Sequence, residues 1–202
     1  MKLIVISNPT AISEEATIIN NLLKTGLASF HLRKPNSVEA EVEQLLQQIE
    51  EQFHPKIALH QHHQLAVKFD IKSLHYPENL RRQISIKLLK ELKNMGFILS
   101  TSIHQIENLN QLPFFDYSFY GPVFNSISKK DSLSEISSGF KVLKHDNAPQ
   151  IIALGGVSDQ NINQIKSMNF DGFALLGFIW QQPKNALSNF KGIQQTLKDQ
   201  NL

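Results

Sequence analysis

The sequence contains no cysteine among its 202 residues. This absence excludes disulfide bonds, thiol chemistry and any zinc site built on thiolates. Long apolar runs are missing as well. Met1 and Lys2 lead directly into the short run from Leu3 to Ile6, which is too short for a signal peptide or a membrane span. We therefore expect a cytoplasmic protein without a membrane partner.

A strong charge of either sign is also absent. The chain has 20 basic and 18 acidic residues, which gives a formal net charge of +2. The basic residues form no block of five or more. This pattern gives no reason to expect a nucleic-acid partner. Hydrophobic residues make up 41% of the chain and charged residues 19%, which is ordinary for a globular protein with one large core.

Short apolar segments alternate with segments of helical periodicity along the whole chain. We predict eight strands, at residues 2–7, 27–32, 56–60, 73–76, 97–101, 115–120, 151–154 and 173–176. Strict alternation of strand and helix predicts a parallel sheet, and eight units predict closure into a TIM (β/α)8 barrel. We expect residues 1–202 to form this single α/β domain. An open doubly wound sheet is the alternative, although it would have five or six longer units.

The helix boundaries follow from capping residues and apolar spacing. Serine is a good N-cap, and we predict that Ser13, Ser85 and Ser158 each begin a helix. Apolar spacing also predicts helices over residues 105–112 and, briefly, over 139–145. For the helix that follows Ser85, the predicted apolar positions include Ile86, Leu88 and Leu89.

Polar side chains gather at the carboxyl ends of the predicted strands, where TIM barrels carry their chemistry. Strands 2 to 5 each end near a histidine: His31, His60, His75 and His104. Arg33 lies two residues after His31, so both side chains face the same way. The same spacing relates Ser102 to His104, and also His60 to His62. These residues predict a polar mouth for an anionic substrate, with imidazoles available for proton transfer.

The same four histidines raise the alternative of a metal cluster. The sequence shows no close-spaced ligand pair combined with a carboxylate, which would support such a cluster. We therefore predict no metal ligands in this chain.

Glycines follow the last two predicted strands. Gly155 and Gly156 end strand 7, and Gly177 follows strand 8. Glycine lets an anion approach bare backbone N–H groups, and TIM barrels often bind phosphate after strands 7 and 8. We predict a phosphate site at these three glycines.

Three segments resemble the thiamine phosphate synthases and the related TenI-type thiazole tautomerases. They are His-Leu-Arg-Lys at 31–34, Gly-Pro-Val-Phe-Asn-Ser-Ile-Ser-Lys at 121–129, and Ala-Leu-Gly-Gly-Val at 153–157. The second is the most specific, since the family pattern there is Gly-Pro-x-Phe-x-Thr-x-Thr-Lys. The resemblance covers nearly the whole chain. It implies a TIM barrel that couples hydroxymethylpyrimidine pyrophosphate to thiazole phosphate and releases pyrophosphate.

The resemblance also implies roles for individual residues. It implies that Arg33, Ser102 and Lys129 are catalytic residues that contact the pyrophosphate. Substrate and phosphate binding falls to His31, Ser126, Ser128, Gly155, Gly156 and Gly177. The implied partners are small phosphorylated heterocyclic substrates, and the sequence leaves homo-oligomer formation open.

The chain departs from the family pattern at several positions. The synthases have Asn-Asp after strand 3 and an aspartate that helps to hold Mg²⁺ after strand 4, where this chain has His60-Gln61 and Leu80. We therefore expect Mg²⁺ to bind only through the substrate pyrophosphate. The second basic residue is displaced, because Lys34 is adjacent to Arg33 and Pro35 stands at the expected position.

Two alternative functions remain open. The first is a tautomerase that uses one of the strand-end histidines, His31, His60, His75 or His104, as its acid–base group. The histidine that tautomerases carry after the strand 6 glycine is Pro122 here, as in the synthases. The second is a non-catalytic binder of thiazole phosphate or thiamine phosphate.

Overall fold

A computed structural model describes residues 1–124, 139–146 and 148–200. Eight parallel strands form a closed barrel in which each strand pairs with the next and the last pairs with the first. The strands are β1 Lys2–Ile6, β2 Ser29–Leu32, β3 Ile57–Leu59, β4 Ser73–Tyr76, β5 Ile98–Ile103, β6 Tyr117–Tyr120, β7 Gln150–Leu154 and β8 Gly172–Leu175. The predicted TIM barrel is confirmed, and the open sheet is excluded.

Helices connect most of the strands and surround the barrel. They are α1 Glu15–Lys24, α2 Glu39–Gln48, α3 Leu65–Lys68, α4 Glu78–Arg81, α5 Ile86–Asn94, α6 Ile162–Ser167, α7 Gly177–Trp180 and α8 Ala186–Asp199. Short 3₁₀ turns occupy Glu51–Lys56, Ile106–Gln111 and Pro183–Asn185. No helix in the described ranges combines the length and apolarity needed to cross a bilayer.

The main core lies between the outer face of the barrel and the helices. Val5 and Phe30 from the strands belong to the same buried cluster as Ile19, Leu46 and Phe190 from the helices. All five side chains are inaccessible to solvent. This layer fixes the barrel and leaves its interior and its carboxyl-terminal mouth available for function.

Two of the predicted helices differ in the structure. Residues 139–146 contain no helix, so the prediction over 139–145 is wrong. There Val142 donates its backbone N–H to Met168 O and accepts from Asn169 Nδ2, so its backbone bonds outside its own segment. The segment 105–112 forms a 3₁₀ turn rather than an α-helix. Pro113 follows it directly and disfavours the α conformation in the residue before it.

The predicted N-caps are correct in one case of three. The Ser85 hydroxyl accepts from Leu88 N at 3.2 Å and begins α5. By contrast, the N-cap residue of α1 is Glu14, which has a left-handed backbone conformation with a φ of 59°. Ser13 is therefore not the cap. Nor does Ser158 cap α6, because its N–H donates to Asn161 Oδ1 in a turn that precedes the helix.

Candidate active site

A cavity of about 950 Å³ opens at the carboxyl-terminal end of the barrel. Its lining includes Ile6, Arg33, His60, His75, Ser102, His104, Phe119, Gly121, Leu154 and Leu176. These residues lie at or just beyond the ends of all eight strands. Of the predicted strand-end side chains, Arg33, His60, His75, Ser102 and His104 line this cavity.

The barrel interior is divided into an apolar half and a polar half. The apolar half consists of Ile4, Ile6, Tyr117, Phe119, Ile152 and Ala174, from β1, β6, β7 and β8. The polar half consists of His31, His60, His75, Ser100 and Ser102, on or directly after β2 to β5. TIM-barrel interiors are mostly filled by branched apolar residues. The polar half therefore indicates chemistry rather than packing.

Three of the four predicted histidines form a buried cluster. His31 Nδ1 lies 2.9 Å from His60 Nε2, and His31 Nε2 lies 2.7 Å from the hydroxyl of Tyr117. The rings of His60 and His75 stack with their centroids 3.9 Å apart. We call His31, His60 and His75 the histidine cluster.

The hydroxyls of Ser100 and Ser102 form hydrogen bonds with the ring of His75, the third member of the histidine cluster. His75 Nδ1 lies 3.0 Å from Ser100 Oγ, and His75 Nε2 lies 3.1 Å from Ser102 Oγ. The predicted site residue Ser102 is therefore in direct contact with His75 and faces the cavity.

Burial keeps the imidazoles of the histidine cluster neutral. It lowers the pKa of His31 to about 3, with a smaller contribution from the positive charge of Lys2. Burial also lowers the pKa values of His60 and His75 well below 6.5, and the neighbouring rings and Arg33 add to the effect. A neutral imidazole has one ring nitrogen with a free lone pair, which can accept a hydrogen bond or bind a metal ion. Only His60 and His75 reach the cavity, because His31 is enclosed beneath them.

The fourth strand-end histidine, His104, and His62 lie apart from the histidine cluster. His104 is exposed at the cavity rim, where its Nδ1 donates to the carbonyl of Gly121 at 2.9 Å. His62 turns away, and its Nε2 donates to Ser37 O at 2.8 Å. The prediction that His60 and His62 face the same way is therefore wrong, because β3 ends at Leu59 and His62 has a φ of 53°.

Arg33 lies at the cavity wall on a fixed backbone. The buried hydroxyl of Ser7 accepts from Arg33 N at 2.8 Å and donates to Arg33 O at 2.9 Å. No carboxylate in the described part of the chain forms an ion pair with its guanidinium, which leaves it available to an anion.

Lys34 does not contribute to the cavity. Its Nζ is 2.6 Å from a carboxylate oxygen of Glu15 and donates to the carbonyls of Asn8 and Thr10 at 2.8 and 2.9 Å. Both charged side chains are almost fully buried. The second basic residue of the segment is therefore structural.

Residues after β4 also line the cavity. They are Glu78, which the sequence places near the mouth, and Asn79, Arg82 and Gln83, which the sequence patterns did not single out. Arg82 Nη2 lies 2.7 Å from Glu78 Oε1. Their position directly after a predicted strand end was the available signal.

The described residues do not fit a protein-held Mg²⁺ site. Glu78 is the one carboxylate among the described residues that line the cavity, and it is paired with Arg82 and, at 3.6 Å, with Arg81. Leu80 stands at the surface, and the buried Gln61 Nε2 has no hydrogen-bond partner. Mg²⁺ prefers carboxylate and phosphate oxygens, and the one carboxylate here is already paired with two arginines.

The glycine turns after β7 and β8 lie side by side. Leu154 pairs with Ala174, which places both turns at the same end of neighbouring strands. Gly155 and Gly156 have φ values of 99° and 64°, which favour glycine. Among the described residues, no acceptor receives the N–H of Gly156 or of Gly177. The predicted phosphate site has the required arrangement, and its binding of phosphate stays a prediction.

Ser126, Ser128 and Lys129 lie outside the described residues. Their predicted roles therefore rest on the sequence alone.

Comparison with known proteins identifies the family. A family model described as thiamine monophosphate synthase matches residues 3–179. The chain belongs to the thiamine monophosphate synthase family. Its similarity to individual members is modest. A thiamine-phosphate synthase 1 of Streptococcus pneumoniae is 25% identical over 193 residues, which cover 91% of this chain and 87% of that protein.

Two further family members support this assignment. A thiamine-phosphate synthase of Clostridium tetani is 24% identical over 167 residues, which cover 80% of this chain and 78% of that protein. The crystal structure of a thiamine phosphate pyrophosphorylase from Bacteroides thetaiotaomicron superposes with a TM-score of 0.74 at 26% identity, covering 98% of both chains.

Proposed function

We propose that this family member is a thiamine phosphate synthase-like enzyme of thiamine biosynthesis. It couples hydroxymethylpyrimidine pyrophosphate to thiazole phosphate and releases pyrophosphate. The observation that carries this proposal is Arg33, whose guanidinium faces the cavity without a carboxylate partner among the described residues. A planar guanidinium is well suited to a pyrophosphate group.

The reaction breaks one bond and forms another at the pyrimidine methylene carbon. The carbon–oxygen bond to pyrophosphate breaks, and the leaving group takes the electron pair. The thiazole nitrogen then supplies the pair for the new carbon–nitrogen bond. Arg33 stabilises the charge that develops on the leaving group, and Lys129, Ser126 and Ser128 are proposed to share this role. Ser102 donates its hydroxyl to the same group from its position beside His75.

The thiazole phosphate occupies the other side of the mouth in this proposal. Its phosphate accepts hydrogen bonds from the backbone at Gly155, Gly156 and Gly177. The apolar half of the interior, with Phe119 and Leu176 at the cavity wall, lies next to this site and suits the heterocyclic rings.

A tautomerase is the second candidate, and one observation favours it. His60 and His75 line the cavity, so their imidazoles can contact a bound ring directly. Such an enzyme would bind the same thiazole phosphate group at the same glycines. It would transfer a proton on the ring rather than form a carbon–nitrogen bond.

Turnover measured against Mg²⁺ concentration tests the proposed reaction. We expect thiamine phosphate to form from the two substrates, with Mg²⁺ entering only as the complex of pyrimidine pyrophosphate. We also expect weak or absent Mg²⁺ binding to the free protein in calorimetry. Saturation of the free protein at micromolar Mg²⁺ would contradict this account of the metal.

Two other outcomes would change the assignment. Absence of coupling, together with isomerisation of a thiazole phosphate carboxylate that is lost in His60→Gln or His75→Gln, would move the chain to the tautomerases. Tight binding of thiazole phosphate with neither reaction would identify a non-catalytic binder.

A further inference from the structure

Three imidazoles, on or directly after consecutive strands, lie close together inside the barrel. One ring nitrogen each from His31, His60 and His75 lies within 4.8 Å of the other two. All three side chains are at least 95% buried. The three histidines are far apart in the sequence. They lie close together because β2, β3 and β4 are neighbours in the barrel.

We propose that the histidine cluster binds a first-row transition metal ion of the Zn²⁺, Co²⁺ or Ni²⁺ type. Imidazole nitrogen suits these ions, whereas Mg²⁺ prefers oxygen. The proposal goes beyond the coupling reaction and does not rest on it, because it concerns ligands inside the barrel rather than substrate contacts at its mouth.

Neighbouring hydroxyls contact two of the three rings, those of His31 and His75. Tyr117 Oη can accept a hydrogen bond from His31 Nε2–H, and in that tautomer the lone pair of His31 Nδ1 points at His60. Ser100 and Ser102 contact the two nitrogens of His75, so the metal replaces one of these contacts and the other orients the ring. Hydrogen bonds of this kind fix the tautomer and the orientation of ligating histidines.

The metal replaces the hydrogen bond between two of the rings. His31 Nδ1 and His60 Nε2 are 2.9 Å apart. Zn–N bonds of the usual length in a tetrahedral site separate two ligand nitrogens by about 3.3 Å. A few tenths of an ångström of widening is therefore enough for this pair. His60 and His75 are stacked, so one of these rings rotates to bring its lone pair to the same point.

The site leaves a coordination position open to the cavity. His60 and His75 line the cavity, whereas His31 closes the site from below. Three histidines and one open position are the pattern of catalytic zinc sites. The charged groups that act on the cluster, Lys2 and Arg33, are both positive. The fourth ligand is therefore an anion, such as hydroxide or a phosphate oxygen.

Titration of the chelator-treated, dialysed protein with Co²⁺ tests this site directly. We expect one equivalent to bind, with the intense visible bands of four- or five-coordinate Co²⁺, and Zn²⁺ to displace it while Mg²⁺ does not. His31→Gln, His60→Gln and His75→Gln should each weaken binding at least 10-fold. The matched control is His54→Gln, because His54 is also buried but bonds to the carbonyls of Leu46 and Ile49. It should bind Co²⁺ as the wild type does.

Several results would overturn the proposal. They are the absence of one-to-one binding to the wild-type protein, six-coordinate spectra only, or equal loss of binding in His54→Gln and the cluster variants. If a cluster variant does not fold, imidazole ¹⁵N NMR of the wild type decides the question. Zn²⁺ should then shift the ring signals of three histidines, and shifts confined to other histidines would refute the site. No turnover is needed, so failure of the coupling reaction leaves this test intact.

Discussion

Arg33 and Lys34 are adjacent basic residues whose side chains lie in different environments. The segment after β2 is extended, so consecutive side chains leave it in opposite directions. Arg33 enters the cavity, whereas Lys34 enters a buried ion pair with Glu15. Arg33 is therefore available to bind a ligand, whereas Lys34 stabilises the fold.

Replacement of Arg33 by alanine should weaken anion binding much more than it weakens the fold. A charge-assisted hydrogen bond contributes about 1.5–3 kcal/mol, which corresponds to a roughly 10- to 100-fold loss of pyrophosphate affinity. The melting temperature should change little, because no core volume is lost. Calorimetry with inorganic pyrophosphate and thermal unfolding measure the two effects.

Arg33→Lys is the matched control for this measurement. It keeps the charge but loses the planar fork, so it should retain part of the affinity. Strong destabilisation of Arg33→Ala with unchanged pyrophosphate binding would instead assign Arg33 a structural role.

Sequence patterns identified several polar cavity residues but not their contacts. Strand-end position was enough to place Arg33, His60, His75 and Ser102 at the cavity. It could not show that His31 is sealed beneath the others, because that depends on the ring of Tyr117 from the far side of the barrel. Long-range contacts of this kind have no local signal in the sequence.

At the scale of elements, the strands were easier to predict than the helices. Buried parallel strands are continuous apolar runs, and all eight were found. Helical spacing was less reliable. Ile86 and Leu88 were predicted apolar positions of α5, but they are 62% and 44% exposed, and Leu89 alone in this helix is buried. Periodicity gives the conformation of a helix, whereas its buried face depends on what it packs against.

The Lys34–Glu15 ion pair connects the segment after β2 to the start of α1. Lys34→Met would leave the Glu15 carboxylate buried without its partner, which typically costs about 3–5 kcal/mol. The double variant Lys34→Met/Glu15→Leu should recover most of this loss, because an apolar pair needs no charge compensation. Urea denaturation of the three proteins measures the effect.

An exposed ion pair provides the control for that experiment. Lys87 and Glu91 lie 4.0 Å apart on the surface of α5. Lys87→Met should change the free energy of unfolding by about 0.5 kcal/mol or less. A similarly small effect of Lys34→Met would show that the buried pair does not stabilise the fold.

At the scale of the whole molecule, the polar half of the interior makes the barrel sensitive to acid. The histidine cluster stays neutral in the folded state, whereas histidines in the unfolded chain take up protons below a pKa of about 6.5. Stability is therefore fully present above that pH and falls as the pH decreases.

This sensitivity should be large enough to measure. Each histidine that stays neutral contributes a loss of about 1.4 kcal/mol between pH 7.5 and 5.5, or roughly 4 kcal/mol for three. Urea unfolding in the presence of a chelator at the two pH values measures it. His31→Gln should reduce the loss by about 1.4 kcal/mol. An equal loss in wild type and His31→Gln would contradict the assignment.

The single tryptophan of the chain lies at the seam where the barrel closes. Trp180 follows β8, is 5% exposed, and donates its indole N–H to Ile6 O of β1 at 2.7 Å. The two residues are 174 positions apart in sequence. Tryptophan fluorescence of this protein therefore reports the meeting of the first and last strands, whereas far-ultraviolet circular dichroism reports helices throughout the chain. Comparison of the two signals during refolding shows whether ring closure is simultaneous with helix formation or follows it.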